Sequence, residues 1–64
     1  MSAETVPQLL DSVSLAARLG ITERHVRRLV GERRIPYVKV GRFVRFDPVA
    51  VAGWIEGRRV EAKR

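Results

Sequence analysis

The sequence contains no cysteine, a single histidine, and no apolar run near the roughly 20 residues needed to cross a bilayer. Without cysteine there is no disulfide framework and no cysteine-ligated zinc site. Such a composition is compatible with a reducing compartment. No transmembrane helix is expected, and the first residues lack the basic-then-apolar order of a signal peptide. A chain of 64 residues is one small domain, too short to wrap a substrate cleft and still own a core. Catalytic groups are equally sparse. The serines are Ser2, Ser12 and Ser14, the acids are scattered, and no nucleophile–base set stands at a recognisable spacing. Gly20, Gly31 and Gly41 are isolated, so there is no phosphate loop. The expectation is a protein that is not an enzyme and that takes neither cofactor nor metal.

What the chain does have is positive charge. Lys plus Arg number 13 against 7 acids, a net +6, and 11 of the 13 are arginine. The excess lies in the middle third: residues 21–46 hold eight cations against Glu23 and Glu32. A basic centre on a small domain points to a polyanionic partner.

The apolar pattern divides the chain into short elements. Residues 1–8 have no periodicity and contain Pro7, which predicts a loose leader. A first helix is predicted from Val13 to Leu19, capped by Ser12 and stopped by Gly20. Val13, Ala16 and Ala17 form its inward stripe, with Leu15 and Leu19 as a second. The next helix is predicted from after Thr22, a good N-cap, to about Arg33. Pro36 ends helical possibilities and extends Ile35. Alternation then predicts a hairpin, Tyr37–Val40 and Phe43–Phe46, turning at Gly41-Arg42. Val38, Val40, Val44 and Phe46 are expected on its core face, with Tyr37, Lys39, Phe43 and Arg45 outward. Asp47-Pro48 opens a third helix in which Val51, Trp54 and Ile55 face inward and Gly53 admits a close neighbour. Gly57 ends it, leaving residues 58–64 as a basic tail. The domain proper is residues 9–57.

The order helix, turn, helix, hairpin, helix is that of a compact winged helix-turn-helix, mainly α with a small β-hairpin. The expected core is Val13, Ala16, Ala17, Leu19, Ile21, Val26, Leu29, Val30, Ile35, Val38, Val40, Val44, Phe46, Val51, Trp54 and Ile55.

The second helix carries the chemistry. At 100° per residue, Arg24 and Arg28 lie within about 20° of the direction opposite Val26. No acid stands between them. Arg27 and His25 flank them, Glu23 is spaced to pair with Arg27, and Glu32 with Arg28. Two cations one turn apart repel unless an anion bridges them. In a major groove an arginine bonds guanine O6 and N7 together or clamps a phosphate. Lys39, Arg42 and Arg45 line the hairpin, with Arg42 at its tip. Arg58 and Arg59 are further candidates for DNA or partner contact.

Residues Leu9 to Glu56 resemble the small excisionase-type helix-turn-helix domain, a relative of the DNA-binding domain of MerR regulators. The resemblance is carried by Leu9-Leu10, Ala16–Thr22, Val26–Val30, Ile35-Pro36, Val38–Arg42, Val44–Phe46 and Val51–Ile55. Two departures are the direct passage Phe46-Asp47-Pro48 and His25 where relatives often have Ser or Thr. The resemblance implies that Thr22, Arg24, His25, Arg27 and Arg28 meet the major groove. Lys39, Arg42 and Arg45 would meet the adjacent minor groove. It implies an excisionase, or recombination directionality factor, that binds repeated sites of double-stranded DNA and bends them. Such a protein self-associates on adjacent sites and assists a tyrosine-family integrase in the bacterial cytoplasm. A small transcriptional regulator or repressor would use the same surface. An RNA- or protein-binding adaptor is the third reading.

Overall fold

The computed structural model describes residues 8–61. Residues 1–7 of the expected leader and 62–64 of the expected tail lie outside them. The elements are α1 (Ser12–Leu19), α2 (Glu23–Gly31), β1 (Val38–Val40), β2 (Phe43–Arg45) and α3 (Pro48–Glu56). Three helices and a two-stranded antiparallel hairpin in this order form a winged helix-turn-helix.

The helix ends follow from capping chemistry. Asp11, not Ser12, is the N-cap of α1: the Ser14 N–H donates to its Oδ1 at 2.8 Å. A carboxylate accepts this bond more strongly than a hydroxyl, and Ser12 then starts the helix one residue earlier than expected. Gly20 closes α1 in the left-handed region, at φ +72°. Thr22 caps α2 by accepting from the His25 N–H at 3.0 Å. The second helix stops at Gly31, two residues short of expectation. Arg33 turns left-handed, at φ +55°, and the Arg33 and Arg34 N–H groups bond back to Val30 and Leu29 carbonyls. That is a Schellman closure with arginine where glycine is usual. Asp47 caps α3 and Pro48 opens it, as expected.

The buried core is Leu15, Ala16, Val26, Ile35, Phe46 and Val51. Around it pack Leu10, Leu19, Ile21, Leu29, Val30, Val44 and Trp54. Four expectations need correction. On α1, Leu15 is 1% exposed while Val13 is 60% exposed and Ala17 is also outside. The stripe of larger side chains faces in, because Leu15 removes more apolar area from water. Ile55 is exposed on α3, and Trp54 is only half-buried. Gly53 admits no neighbour, since a Cβ built there meets nothing within 4 Å.

The fourth correction concerns the wing. Its register pairs Val38 with Arg45, Lys39 with Val44 and Val40 with Phe43. Residues directly opposite in an antiparallel pair share a face. A two-residue turn therefore puts Val38, Val40, Phe43 and Arg45 on one face, and Lys39 with Val44 on the other. Val44 packs against the core, whereas Val38, Val40 and Phe43 are exposed. Gly41, at φ +62°, takes the first central position of the turn, where a type II′ hairpin needs glycine.

One contact closes the domain. Leu10 and Phe46 form an antiparallel bridge with two bonds of 2.8 Å. It ties the segment before α1 to the exit of the wing, beside the fully buried Phe46 ring.

Candidate nucleic-acid interface

Burial of Val26, with Leu29 and Val30 half-buried beside it, turns the opposite side of α2 to solvent. Thr22, Arg24, His25, Arg27 and Arg28 line one concavity there, of about 440 Å³. The three arginines differ in their surroundings. Arg27 Nη2 sits 2.7 Å from Glu23 Oε2, and Arg28 Nε sits 3.6 Å from Glu32 Oε2. Both pairs are those expected from the i, i+4 spacing. Arg24 has no acidic partner among the described residues. Glu32 is shared, since Arg34 approaches its other oxygen at 3.2 Å. All these groups are exposed, so the pairs are weak and exchange readily for a phosphate.

The wing stands beside this face. Arg27, Arg42 and Arg45 meet in a second concavity of about 320 Å³, between α2 and β2. Ser12, Glu23 and Phe43 also line it. Phe43 has two guanidiniums near its ring: Arg42 Cζ lies 5.8 Å and Arg45 Cζ 5.1 Å from its centroid. Cation–π attraction thus holds both arginines near the turn. Arg45 is half-buried and donates to the Val44 carbonyl at 2.8 Å. Its charge also reaches Asp11. The Ser14 N–H, then the Ser14 hydroxyl, then Arg45 hold the Asp11 carboxyl below its ordinary carboxylate pKa. Lys39 is exposed on the opposite face of the hairpin from Phe43.

Arg58 and Arg59 do not join the other cations. Arg58 Cζ stacks 4.3 Å from the Trp54 ring centroid, and Arg58 Nη2 donates to the Arg34 carbonyl at 3.3 Å. Trp54 Nε1 donates to the same carbonyl at 2.6 Å. Arg59 makes two bonds to Glu56, of 3.2 and 2.6 Å. Both arginines border a groove with His25, away from Arg24 and Arg28. Sequence reasoning missed two residues of the second concavity. Ser12 had been assigned to capping. Phe43 is expected outward on the face of Arg45 but not among the site residues; its pairing next to the turn brings Arg42 and Arg45 to its ring.

Among the described residues there is no group of three His, Asp or Glu side chains able to hold a metal ion. None of the described helices is long and apolar enough to cross a membrane.

A helix capped by Thr22, presenting arginines outward beside an arginine-bearing wing, has the form of a small DNA-binding domain. The Helix-turn-helix domain family matches residues 9–59, and the chain belongs to that family, an excisionase-like group of small DNA-binding domains. No curated protein and no solved structure matches the chain.

Proposed function

We propose that the chain is a sequence-specific DNA-binding protein of the excisionase type. It binds repeated sites, bends the duplex and assists a tyrosine-family integrase, without a catalytic centre or cofactor of its own. The observation that carries the DNA reading is the outward face of α2, where Arg24 and Arg28 stand one turn apart with no acid between them. A major groove supplies the acceptor Arg24 lacks and competes with Glu32 for Arg28, and His25 and Thr22 flank them. The wing meets the neighbouring minor groove through Arg42, with Lys39 at its other face.

The concavity between α2 and β2 gives the strand that separates the two grooves a path. Arg27 and Arg45 reach that strand from opposite walls, and both are phosphate-clamping rather than base-reading groups. Bending costs several kcal/mol on the order of 1–6, offset by the contacts that wing and helix make together. The excisionase role draws its support from the family to which residues 9–59 belong.

Selection of sites from a random duplex library tests this reading at near-physiological salt. The expected result is a set of direct repeats about one helical turn apart. Inverted repeats would replace the excisionase by a two-fold repressor. No enrichment would remove sequence-specific DNA binding altogether.

A further inference from the structure

The third helix is apolar almost all the way round. Glu56 is the one charged residue of Pro48–Glu56. Such a helix is normally covered on every side. Here Val51 is buried and Trp54 half-buried, while Ile55 is 40% and Val49 78% exposed. The exposed apolar surface does not end at the helix. A groove of about 480 Å³ runs between α3 and the α1–α2 pair, floored by Leu19, Ile21, Leu29, Trp54 and Ile55. A second groove, of about 220 Å³, continues past Leu19 and Ile55 to Pro48, Val51 and Ala52. The two shared residues make them one trough along the length of α3.

The charged residues that line this trough are all arginines. Arg18 borders one end, and His25, Arg58 and Arg59 border the other. No acid among the described residues lines either groove: Glu56 is held by Arg59 at 2.6 Å, and Asp11 lines a neighbouring concavity with Arg18 and Pro48. Arg18 makes no ion pair among the described residues. From Pro48 to Ile55 the trough follows about two helical turns, roughly 10 Å. That length seats the apolar anchors of a short helix spaced i, i+3, i+4 and i+7.

We propose that the trough docks an acidic amphipathic helix of a partner protein, with its apolar stripe on Leu19, Trp54 and Ile55. Its carboxylates lie toward Arg18 at one end and Arg58 at the other. A second copy of this chain does not fit, because it would bring net positive charge onto a cationic rim. The trough is a quarter-turn round α2 from Arg24 and Arg28 and shares only His25 with their concavity. Helix and duplex therefore bind together, and the inference stands whether or not the DNA reading does.

The test is selection of a displayed library of random helical peptides on the full chain, with excess duplex DNA present to occupy the arginine face. Enriched peptides are expected to be acidic, with apolar residues at helical spacing, and to change the fluorescence of Trp54, the sole tryptophan. Ile55→Lys is expected to weaken the best peptide about tenfold or more, and Arg18→Glu about threefold, with duplex affinity within about twofold of the parent. Both positions are exposed, and retained cooperative unfolding separates lost binding from lost folding. Failure to enrich, or enrichment of basic or uncharged peptides, overturns the proposal. So does an acidic peptide that DNA displaces, or one that Ile55→Lys leaves unaffected, since either would bind the arginine face instead.

Discussion

The three arginines of α2 should not respond alike to substitution, because the protein already satisfies them unequally. Arg24 has no acidic partner among the described residues, whereas Arg27 is held 2.7 Å from Glu23. Replacing Arg24 by Ala removes a group that gives up no ion pair on binding. If it reads a base, the loss is about 1–3 kcal/mol, roughly 5- to 150-fold in affinity. Arg27 must first release Glu23. With side-chain exposures of 71% and 38%, that pair is heavily screened and worth about 0.3–0.5 kcal/mol. Glu23→Gln returns this energy to binding and removes a negative charge from the concavity a phosphate would cross. Affinity is then expected to rise about twofold or somewhat more. The slope of log affinity against log salt should stay within a few tenths for Arg24→Ala if it reads a base, and fall by about 0.9 if it clamps a phosphate. Fluorescence anisotropy on a selected duplex, over a series of salt concentrations, measures both quantities. Glu23 also favours the N-terminus of α2, so urea unfolding of the variant is measured alongside. The reasoning fails if Arg24→Ala leaves affinity and slope unchanged, or if Glu23→Gln weakens binding.

Gly53→Ala should stabilise the fold by up to about 1 kcal/mol, because its Cβ meets open space in a helix interior; thermal unfolding would show the midpoint several degrees higher. Arg33→Gly should gain about 0.5–1 kcal/mol by relieving a left-handed arginine, and an unchanged urea midpoint would contradict that account of the α2 terminus. Phe46→Ala, at a fully buried ring, should cost about 3–5 kcal/mol and leave so small a domain largely unfolded by circular dichroism. Asp11 has a folded-state pKa below its unfolded value, so its contribution is full above the ordinary carboxylate range. That contribution is lost as pH falls through the depressed folded value. Asp11→Asn should therefore flatten the acid limb of a stability–pH curve, and an unaltered limb would refute the capping assignment.

The residues that carried most information in the sequence were those whose preferences are local. Thr22, Asp47-Pro48 and Gly20 mark helix ends through bonds to their own neighbours, and the structure keeps all three. The Glu23–Arg27 and Glu32–Arg28 pairs follow from helical spacing alone. What escaped depends on what lies across from a residue. Two apolar stripes competed on α1, and only packing against α2 and Phe46 selects Leu15 over Val13. The faces of the wing follow from turn length: with two residues in the turn, Val40 must oppose Phe43, which places Val38 and Val40 outside. The left-handed Arg33 has no local signature. Nor has the trough along α3, because an apolar helix in a sequence reads as core wherever its uncovered side lies.

The Leu10–Phe46 bridge gives the wing a second point of attachment. Between these residues lie α1, α2 and the whole hairpin, so the two bonds fasten the ends of a loop holding more than half the chain. The pairing of α1 with α2 is local in sequence, whereas this closure carries a loop entropy that is recovered only once both ends are ordered. Folding should therefore assemble the helix pair first and seat the wing last. Tension applied ahead of Leu10 would reverse that order: the bridge would peel before either helix frayed, and the wing would lose its fixed angle to α2 while α2 itself stayed intact.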